Sequence, residues 1–180
     1  RIKTLADTLE TPFLVVDTAI ISRKYDEIRT CFPYAGVYYA VKANPERAVI
    51  ETLVAEGSHF DAASRGEIEL CLGLGARPET ISFGNTIKKP VDIAFAYGAG
   101  ITLFAADSDM ELEKIAAHAP GVEVYIRLLM GTTEADWPLS RKFGTMESEV
   151  NALLAYAVHL GLKPVGLSFH VGSQTRRAEM

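Results

Sequence analysis

The chain has 180 residues, of which 48% are apolar, and a formal net charge of −5. This composition is that of a globular protein with ample material for a core, and its acidic balance argues against nucleic acid as a partner. No apolar run approaches the ~18 residues of a membrane span, and residues 1–10 lack a signal-peptide core. The two cysteines have neither disulfide nor zinc spacing, so a cytoplasmic location is the default expectation.

Short apolar runs and helical patterns alternate along the chain. Residues 11–17 predict a strand, and a helix follows over about 18–31. Further strands are predicted at Val37–Val41, Ser58–Ala62, Thr80–Gly84, Ile101–Ala105, Val122–Leu128 and Pro164–Phe169. Ser64 and Ser108 are each followed three residues later by glutamate, which indicates a capping box at the start of a helix. The last helix is predicted to end at Gly161.

Repeated strand–helix–strand units predict an α/β fold with a parallel sheet. Such a sheet is either open and doubly wound or closed into a (β/α)8 barrel, and the spacing of about 20 residues per unit favours the barrel. A barrel needs roughly 250 residues and eight strands. We therefore expect an entry strand and helix in residues 1–32, and in residues 33–180 the first six units of a TIM-like barrel that continues in a longer chain. Residues 129–145 lack periodicity and predict a functional loop.

Ionisable side chains stand at the ends of most predicted strands. The active site of a parallel barrel gathers at the carboxyl ends of its strands, so these residues predict a functional rim. In chain order the strand ends carry Lys42, Asp61, Gly84-Asn85, Asp107, Arg127 and His170, the last followed by Gly172 and Ser173.

Each of these residues also has an ordinary structural explanation. Lys42 alone would be an exposed strand end, whereas at the mouth of an apolar barrel it would lose water, its pKa would fall and its amine would become a nucleophile. Arg127 ends an apolar run, so we expect it to have an anionic partner. Glu67 is most simply the returning half of the first capping box. His170 alone would be a core histidine.

The chemistry of the rim favours one kind of cofactor. One histidine and scattered carboxylates provide no metal-ligand set, and no G-x-S-x-G motif supports a serine nucleophile. The Gly172-Ser173 turn suits an oxyanion such as phosphate. A reactive lysine together with such a turn indicates an aldehyde cofactor that bears a phosphate.

Four motifs in this order resemble the eukaryotic-type ornithine decarboxylase group, which are pyridoxal-phosphate (PLP) decarboxylases with an alanine-racemase-like barrel. The resemblance covers roughly residues 11–175. Its motifs are Tyr39-Ala40-Val41-Lys42-Ala43-Asn44, His59-Phe60-Asp61-Ala62-Ala63-Ser64 with Gly66-Glu67, Arg141-Lys142-Phe143-Gly144, and Phe169-His170-Val171-Gly172-Ser173-Gln174.

The resemblance implies a set of roles for these residues. Lys42 would carry PLP as a Schiff base, and His170 would stack on its pyridine ring. Asp61, Arg127 and Ser173 would line the cofactor pocket. Lys142 would lie near the interface of a homodimer with shared active sites, and the remaining residues near the cofactor would be Ala40, Glu67, Asn85 and Gly172.

The resemblance implies decarboxylation of a basic amino acid: ornithine to putrescine, in polyamine biosynthesis, or lysine to cadaverine. Diaminopimelate decarboxylase and a non-catalytic regulatory homologue are the alternatives. The phosphate-binding glycine loop, the carboxylate that pairs with the pyridine nitrogen, the catalytic cysteine and aspartate, and a C-terminal β domain would all lie beyond Met180.

Overall fold

The computed structural model describes residues 2–130 and 142–172, and within these ranges it has six strands, seven α-helices and two short 3₁₀ helices. The strands are β1 (Tyr38–Ala40), β2 (His59–Ala62), β3 (Ile81–Phe83), β4 (Leu103–Ala106), β5 (Glu123–Leu128) and β6 (Lys163–Phe169). The helices are α1 (Ile2–Ala6), α2 (Thr18–Cys31), α3 (Arg47–Ala55), α4 (Arg65–Gly73), α5 (Pro90–Gly98), α6 (Asp109–His118) and α7 (Glu147–His159). The 3₁₀ helices are Val41–Ala43 and Pro78–Thr80.

All six strands form one parallel sheet whose order is the order of the chain, β1-β2-β3-β4-β5-β6. A doubly wound sheet reverses its strand order at a switch point. No reversal occurs among the described strands, so the sheet is the wall of a barrel rather than a doubly wound sheet, as the sequence predicts.

The two faces of the sheet differ because successive side chains of a strand point to opposite sides. One face is apolar and packs against the helices: Phe60, Phe104 and Ile126 are fully buried, and the rings of Phe83 and Phe104 lie 6.0 Å apart. The opposite face carries polar residues such as Asp61, which pairs in register with Ser82. The core therefore lies between sheet and helices, and the polar face is left for the site.

The predicted strands of the barrel are confirmed, with ends that differ by at most two residues. The strand predicted over residues 11–17 is wrong, because residues 13–17 have no regular structure and Leu14 is 83% exposed. No described strand pairs with this segment, and an isolated strand has no ladder of hydrogen bonds to stabilise it. The following helix is confirmed; Asp17 caps it by accepting a hydrogen bond from the Ala19 amide (3.0 Å).

Both serine caps are confirmed. The Ser64 hydroxyl accepts from the Glu67 amide (3.3 Å), and Glu67 Oε2 returns to accept from the Ala63 amide (2.7 Å). Ser108 caps α6 in the same way, but the carboxylate of Glu111 does not return to the cap and pairs instead with Lys88. The last helix, α7, ends at His159 with Leu160 as its C-cap, and Gly161 follows with φ +78°, so the predicted glycine stop is confirmed. Among the described helices, none has the length and apolar character needed to cross a membrane.

Candidate active site

The carboxyl ends of the strands bring the predicted rim residues to one edge of the sheet. Lys42 follows β1, Asp61 lies in β2, Arg127 lies in β5 and His170 directly follows β6. Their charges act on one another: Lys42 and Arg127 both shift the pKa of Asp61 and the pKa of His170. These four residues therefore form one electrostatic cluster.

Asp61 is the half-buried acid of this cluster. Burial raises the pKa of its carboxyl group, the charges of Lys42 and Arg127 oppose that rise, and the charge of Glu67 adds to it. Its Oδ1 atom is buried and has no hydrogen-bond partner in the described part of the chain. Burying a carboxylate oxygen without a hydrogen-bond donor costs free energy. Asp61 Oδ1 is therefore a position that can accept a hydrogen bond from a further group.

Gly84, directly after β3, lies against this carboxylate. A Cβ atom at Gly84 would overlap Asp61 Oδ1 and lie 2.7 Å from Asp61 Cγ. The Gly84 amide donates to the Ala62 carbonyl (2.9 Å), which keeps the glycine in that position. The absence of a side chain at residue 84 is therefore what leaves room for Asp61.

Lys42 lies in the 3₁₀ helix rather than on the strand itself. This turn buries Val41 completely and leaves the side chain of Lys42 exposed, so the predicted loss of water around Lys42 is not seen. The turn is held by Tyr39, whose hydroxyl donates to the Asn44 carbonyl (3.2 Å). The lysine amine is thus presented at the rim from a fixed backbone.

Arg127 does not have the close anionic partner that its apolar surroundings predict. Within residues 2–130 and 142–172 it forms no ion pair, and its guanidinium lies 5.4 Å from the ring centroid of Phe143. Arg127 is half-buried, so in these ranges an aromatic face lies against the guanidinium, and Asp61 is an acid whose pKa its charge lowers.

His170 stands at the exposed end of β6. The Gly172 amide donates to its Nδ1 atom (2.9 Å), so a neutral ring carries its proton on Nε2. Partial burial lowers the pKa of the imidazole, and the charges of Arg127 and Lys42 lower it further. All three causes favour the neutral ring, whose proton is then on Nε2.

Beneath the cluster lies a hydroxyl pair that the sequence did not predict. Tyr125 Oη and Ser82 Oγ lie 3.0 Å apart, and Ser82 is buried. Burial raises the pKa of Tyr125 to about 12, although the bond to Ser82 lowers it, while the charge of Asp61 raises it. The period of two along a strand was the available signal, since Tyr125 precedes Arg127 by two residues and shares its face.

The remaining predicted residues lie at or near the same edge. Ala40 ends β1 and pairs in register with Asp61. The Asn85 carbonyl accepts from Lys88 Nζ (2.8 Å), and Lys142 lies in an exposed turn. Gly172 is buried. Ser173 lies outside the described residues.

A model of the family described as "Pyridoxal-dependent decarboxylase, pyridoxal binding domain" matches residues 18–180. The chain belongs to this family. The predicted cofactor, pyridoxal phosphate, is thereby confirmed as that of the family, and the six-unit parallel barrel corresponds to the pyridoxal-binding domain.

Known decarboxylases resemble this pyridoxal-binding domain over nearly its whole length. A lysine/ornithine decarboxylase of Selenomonas ruminantium is 37% identical over 175 residues, which are 97% of this chain and 44% of that enzyme. A chloroplastic ornithine decarboxylase of Nicotiana glauca is 40% identical over 163 residues, which are 90% of this chain and 38% of that enzyme. The crystal structure of the Paramecium bursaria Chlorella virus arginine decarboxylase bound to agmatine matches with a TM-score of 0.95 and 33% identity, over 99% of this chain and 50% of that one. The chain thus spans half or less of these relatives.

The described residues fit the cofactor of the family. Pyridoxal phosphate offers an aldehyde, polar ring substituents and a phosphate, which call for an amine, hydrogen-bond donors or acceptors, and a cation. The exposed amine of Lys42, the unpartnered Oδ1 of Asp61 and the guanidinium of Arg127 supply these groups at one edge of the sheet.

Proposed function

We propose that the protein is a PLP-dependent decarboxylase of a basic amino acid, L-ornithine or L-lysine, with Lys42 as the residue to which the cofactor is attached. One observation supports this proposal most directly. At the carboxyl edge of a pyridoxal-binding domain, one electrostatic cluster contains Lys42, Asp61, Arg127 and His170. The matched relatives act on ornithine and lysine by name, which supports the choice of substrate class.

When bound, pyridoxal phosphate supplies the electron sink that accepts the charge left by loss of CO2. The role of the cluster's side chains is to hold and orient the cofactor. Arg127 binds an anionic group through guanidinium N–H donors that no described carboxylate engages. His170 presents a neutral ring face and an Nε2–H donor. Asp61 accepts a proton or a hydrogen bond at Oδ1, the atom that lacks a partner.

Lys42 and Asp61 form the acid–base pair of the proposed site. Lys42 lowers the pKa of Asp61 against the effect of burial, so the charge of the amine stabilises the carboxylate form of Asp61. The cofactor, held at Lys42, would place its chemistry at the amine whose charge Asp61 senses. We therefore expect Asp61 to take part in moving protons to and from the Lys42 amine.

Attachment at Lys42 has a direct test. Borohydride reduction of the PLP-loaded protein, followed by peptide mass spectrometry, should find the cofactor's mass on the peptide that contains Lys42. Lys42→Ala should lose both the modified peptide and the visible absorption band of the bound cofactor. Lys89→Ala, an exposed lysine in the loop before α5, is the matched control and should keep both. An unmodified Lys42 in the reduced protein would rule the assignment out.

The substrate is decided by CO2 release from ornithine, lysine, arginine and diaminopimelate, each assayed separately. We expect turnover of ornithine or lysine. Turnover of diaminopimelate alone would favour the alternative decarboxylase, and loaded cofactor with no turnover of any of the four would favour a non-catalytic regulatory protein.

We further propose a homodimer whose interface includes Lys142, and a second, C-terminal β domain outside residues 33–180. The exposed position of Lys142 leaves it accessible to a partner chain. Sedimentation of the wild-type protein and of Lys142→Glu should show a dimer that the charge reversal weakens. Lys163→Glu, at the opposite end of the sheet, should leave the dimer intact.

A further inference from the structure

The residues 142–145 return to the sheet beside the end of β5. The Thr145 amide donates to the Arg127 carbonyl (2.9 Å), and the Leu129 amide donates to the Thr145 carbonyl (2.8 Å). On its other side the end of β5 is already paired with β6 through Leu128 and Phe169. Thr145 therefore occupies the place beside β5 that β4 leaves free after Ala106.

Asp107, the residue that follows β4, fixes this returning segment. Its Oδ2 atom accepts a hydrogen bond from the Gly144 amide (2.8 Å). Gly144 has φ +108°, and a Cβ atom there would lie 2.7 Å from the Leu128 carbonyl carbon and 2.7 Å from the Leu129 amide nitrogen. Only glycine fits between the backbone of β5 and the carboxylate of Asp107. The carboxylate and the two backbone bonds together set the path of the segment.

This path places the ring of Phe143 against Arg127. The guanidinium carbon lies 5.4 Å from the ring centroid, a distance at which a cation is attracted to the face of an aromatic ring. Both side chains are half-buried. No carboxylate of residues 2–130 and 142–172 forms an ion pair with Arg127, so the ring of Phe143 is a contact that can fix the guanidinium without neutralising it.

We propose that Phe143 is a positioning residue for Arg127, and that Asp107 holds Phe143 in place through the Gly144 amide. The ring limits where the guanidinium can lie without occupying its N–H donors, so Arg127 stays within electrostatic reach of Asp61 and His170 and keeps its donors for an anion. The identity of the molecule that carries this anion rests on the proposed function. The placement of Arg127 by Phe143 does not.

His170 provides a readout that is independent of cofactor and substrate. The charge of Arg127 lowers the pKa of His170, so displacement of the guanidinium should raise it. In the protein stripped of PLP, NMR titration of the imidazoles should place the pKa of His170 roughly 0.3–0.5 unit higher in Phe143→Leu than in the wild type. Phe143→Tyr retains the aromatic face and should titrate as the wild type. Comparison with His170→Gln assigns the signal.

Asp107 gives a second route to the same result without touching the ring. Asp107→Ala removes the acceptor of the Gly144 amide and should raise the pKa of His170 as Phe143→Leu does, whereas Asp107→Asn keeps an acceptor oxygen and should not. In the PLP-loaded protein, Phe143→Leu should weaken cofactor binding by about 2- to 5-fold.

An unchanged His170 pKa in both Phe143→Leu and Asp107→Ala would overturn the proposal, whatever happens to activity. A wild-type protein that binds no PLP would instead overturn the proposed function and leave the titration result standing. If Phe143→Leu fails to fold, the pair Asp107→Ala and Asp107→Asn still decides the question.

Discussion

Lys88 Nζ and Glu111 Oε1 form an ion pair of 2.9 Å between side chains that are 0% and 3% exposed. The ammonium also donates to the carbonyls of Asn85 (2.8 Å) and Ala105 (2.6 Å), so all three of its protons are used. The other oxygen of Glu111 pairs with Lys114. The pair thus ties the loop after β3, which carries Gly84 and Asn85, to the end of β4 and to α6.

Burial lowers the pKa of Lys88 to about 8, although Glu111 opposes the shift. A lysine whose folded-state pKa lies below its unfolded value of 10.5 binds its proton more weakly in the folded state. Its contribution to the free energy of unfolding therefore rises between about pH 8 and 10.5, by about 1.4 kcal/mol per pH unit at most. Urea denaturation over this pH range gives the free energies of unfolding of the wild type and of Lys88→Met. The free energy of the wild type should rise with pH relative to that of Lys88→Met.

At neutral pH we expect Lys88→Met to lower the free energy of unfolding by about 3 kcal/mol, because Glu111 loses its buried partner. Lys114→Met is the control: it removes the other partner of Glu111 but leaves Lys88 titratable. Since the charge of Lys114 lowers the pKa of Lys88, this variant should keep the pH-dependent rise and move it to higher pH. A constant gap between wild type and Lys88→Met would contradict the assignment.

Asp61→Asn should stabilise the protein while it impairs the site. The raised pKa of Asp61 means that the folded state holds the proton more tightly than the unfolded state, so this group's stabilising contribution is lost as pH rises from 3.8 through the folded-state pKa. An amide has no charge to bury. Thermal denaturation should find the variant's advantage larger at pH 7 than at pH 4, together with reduced PLP binding. Equal stability differences at both pH values would argue against a raised pKa.

Gly144→Ala should be much more harmful than alanine at other glycines with positive φ. At Gly144 a Cβ atom meets backbone atoms of β5 at 2.7 Å, and backbone cannot move aside as a side-chain end can. We expect a loss of roughly 3 kcal/mol or more in the free energy of unfolding. Gly121 has φ +75°, and no atom lies within 4 Å of the position that a Cβ would take there, so Gly121→Ala should cost only about 1 kcal/mol. Similar losses at the two positions would contradict the close approach.

The bond between Ser82 and Tyr125 can be measured with a double-mutant cycle. Ser82→Ala leaves the Tyr125 hydroxyl, 3.0 Å away, without its partner and should cost about 1–2 kcal/mol of stability. In the presence of Tyr125→Phe, which has no hydroxyl, the same change should cost much less. Additive losses in the double variant would mean that the two hydroxyls do not interact.

Local sequence patterns predicted the barrel strands and the helix caps because hydrophobic period and capping chemistry act within a few residues. They did not predict that the Glu111 carboxylate pairs with Lys88, because Lys88 lies 23 residues away and only the fold brings the two together. The same holds for Arg127: the apolar run before it predicted an anion, and the structure supplies the ring of Phe143. The strand predicted at residues 11–17 failed because strand formation depends on a neighbour that local sequence does not reveal.

The parallel sheet also bears on how the chain is made. Strand order equals chain order, so each strand pairs with the strand that precedes it by about one βα unit. Loop closure between neighbours is then short at every step. We expect the domain to assemble progressively during synthesis, with each new strand from β2 to β6 pairing with the strand before it.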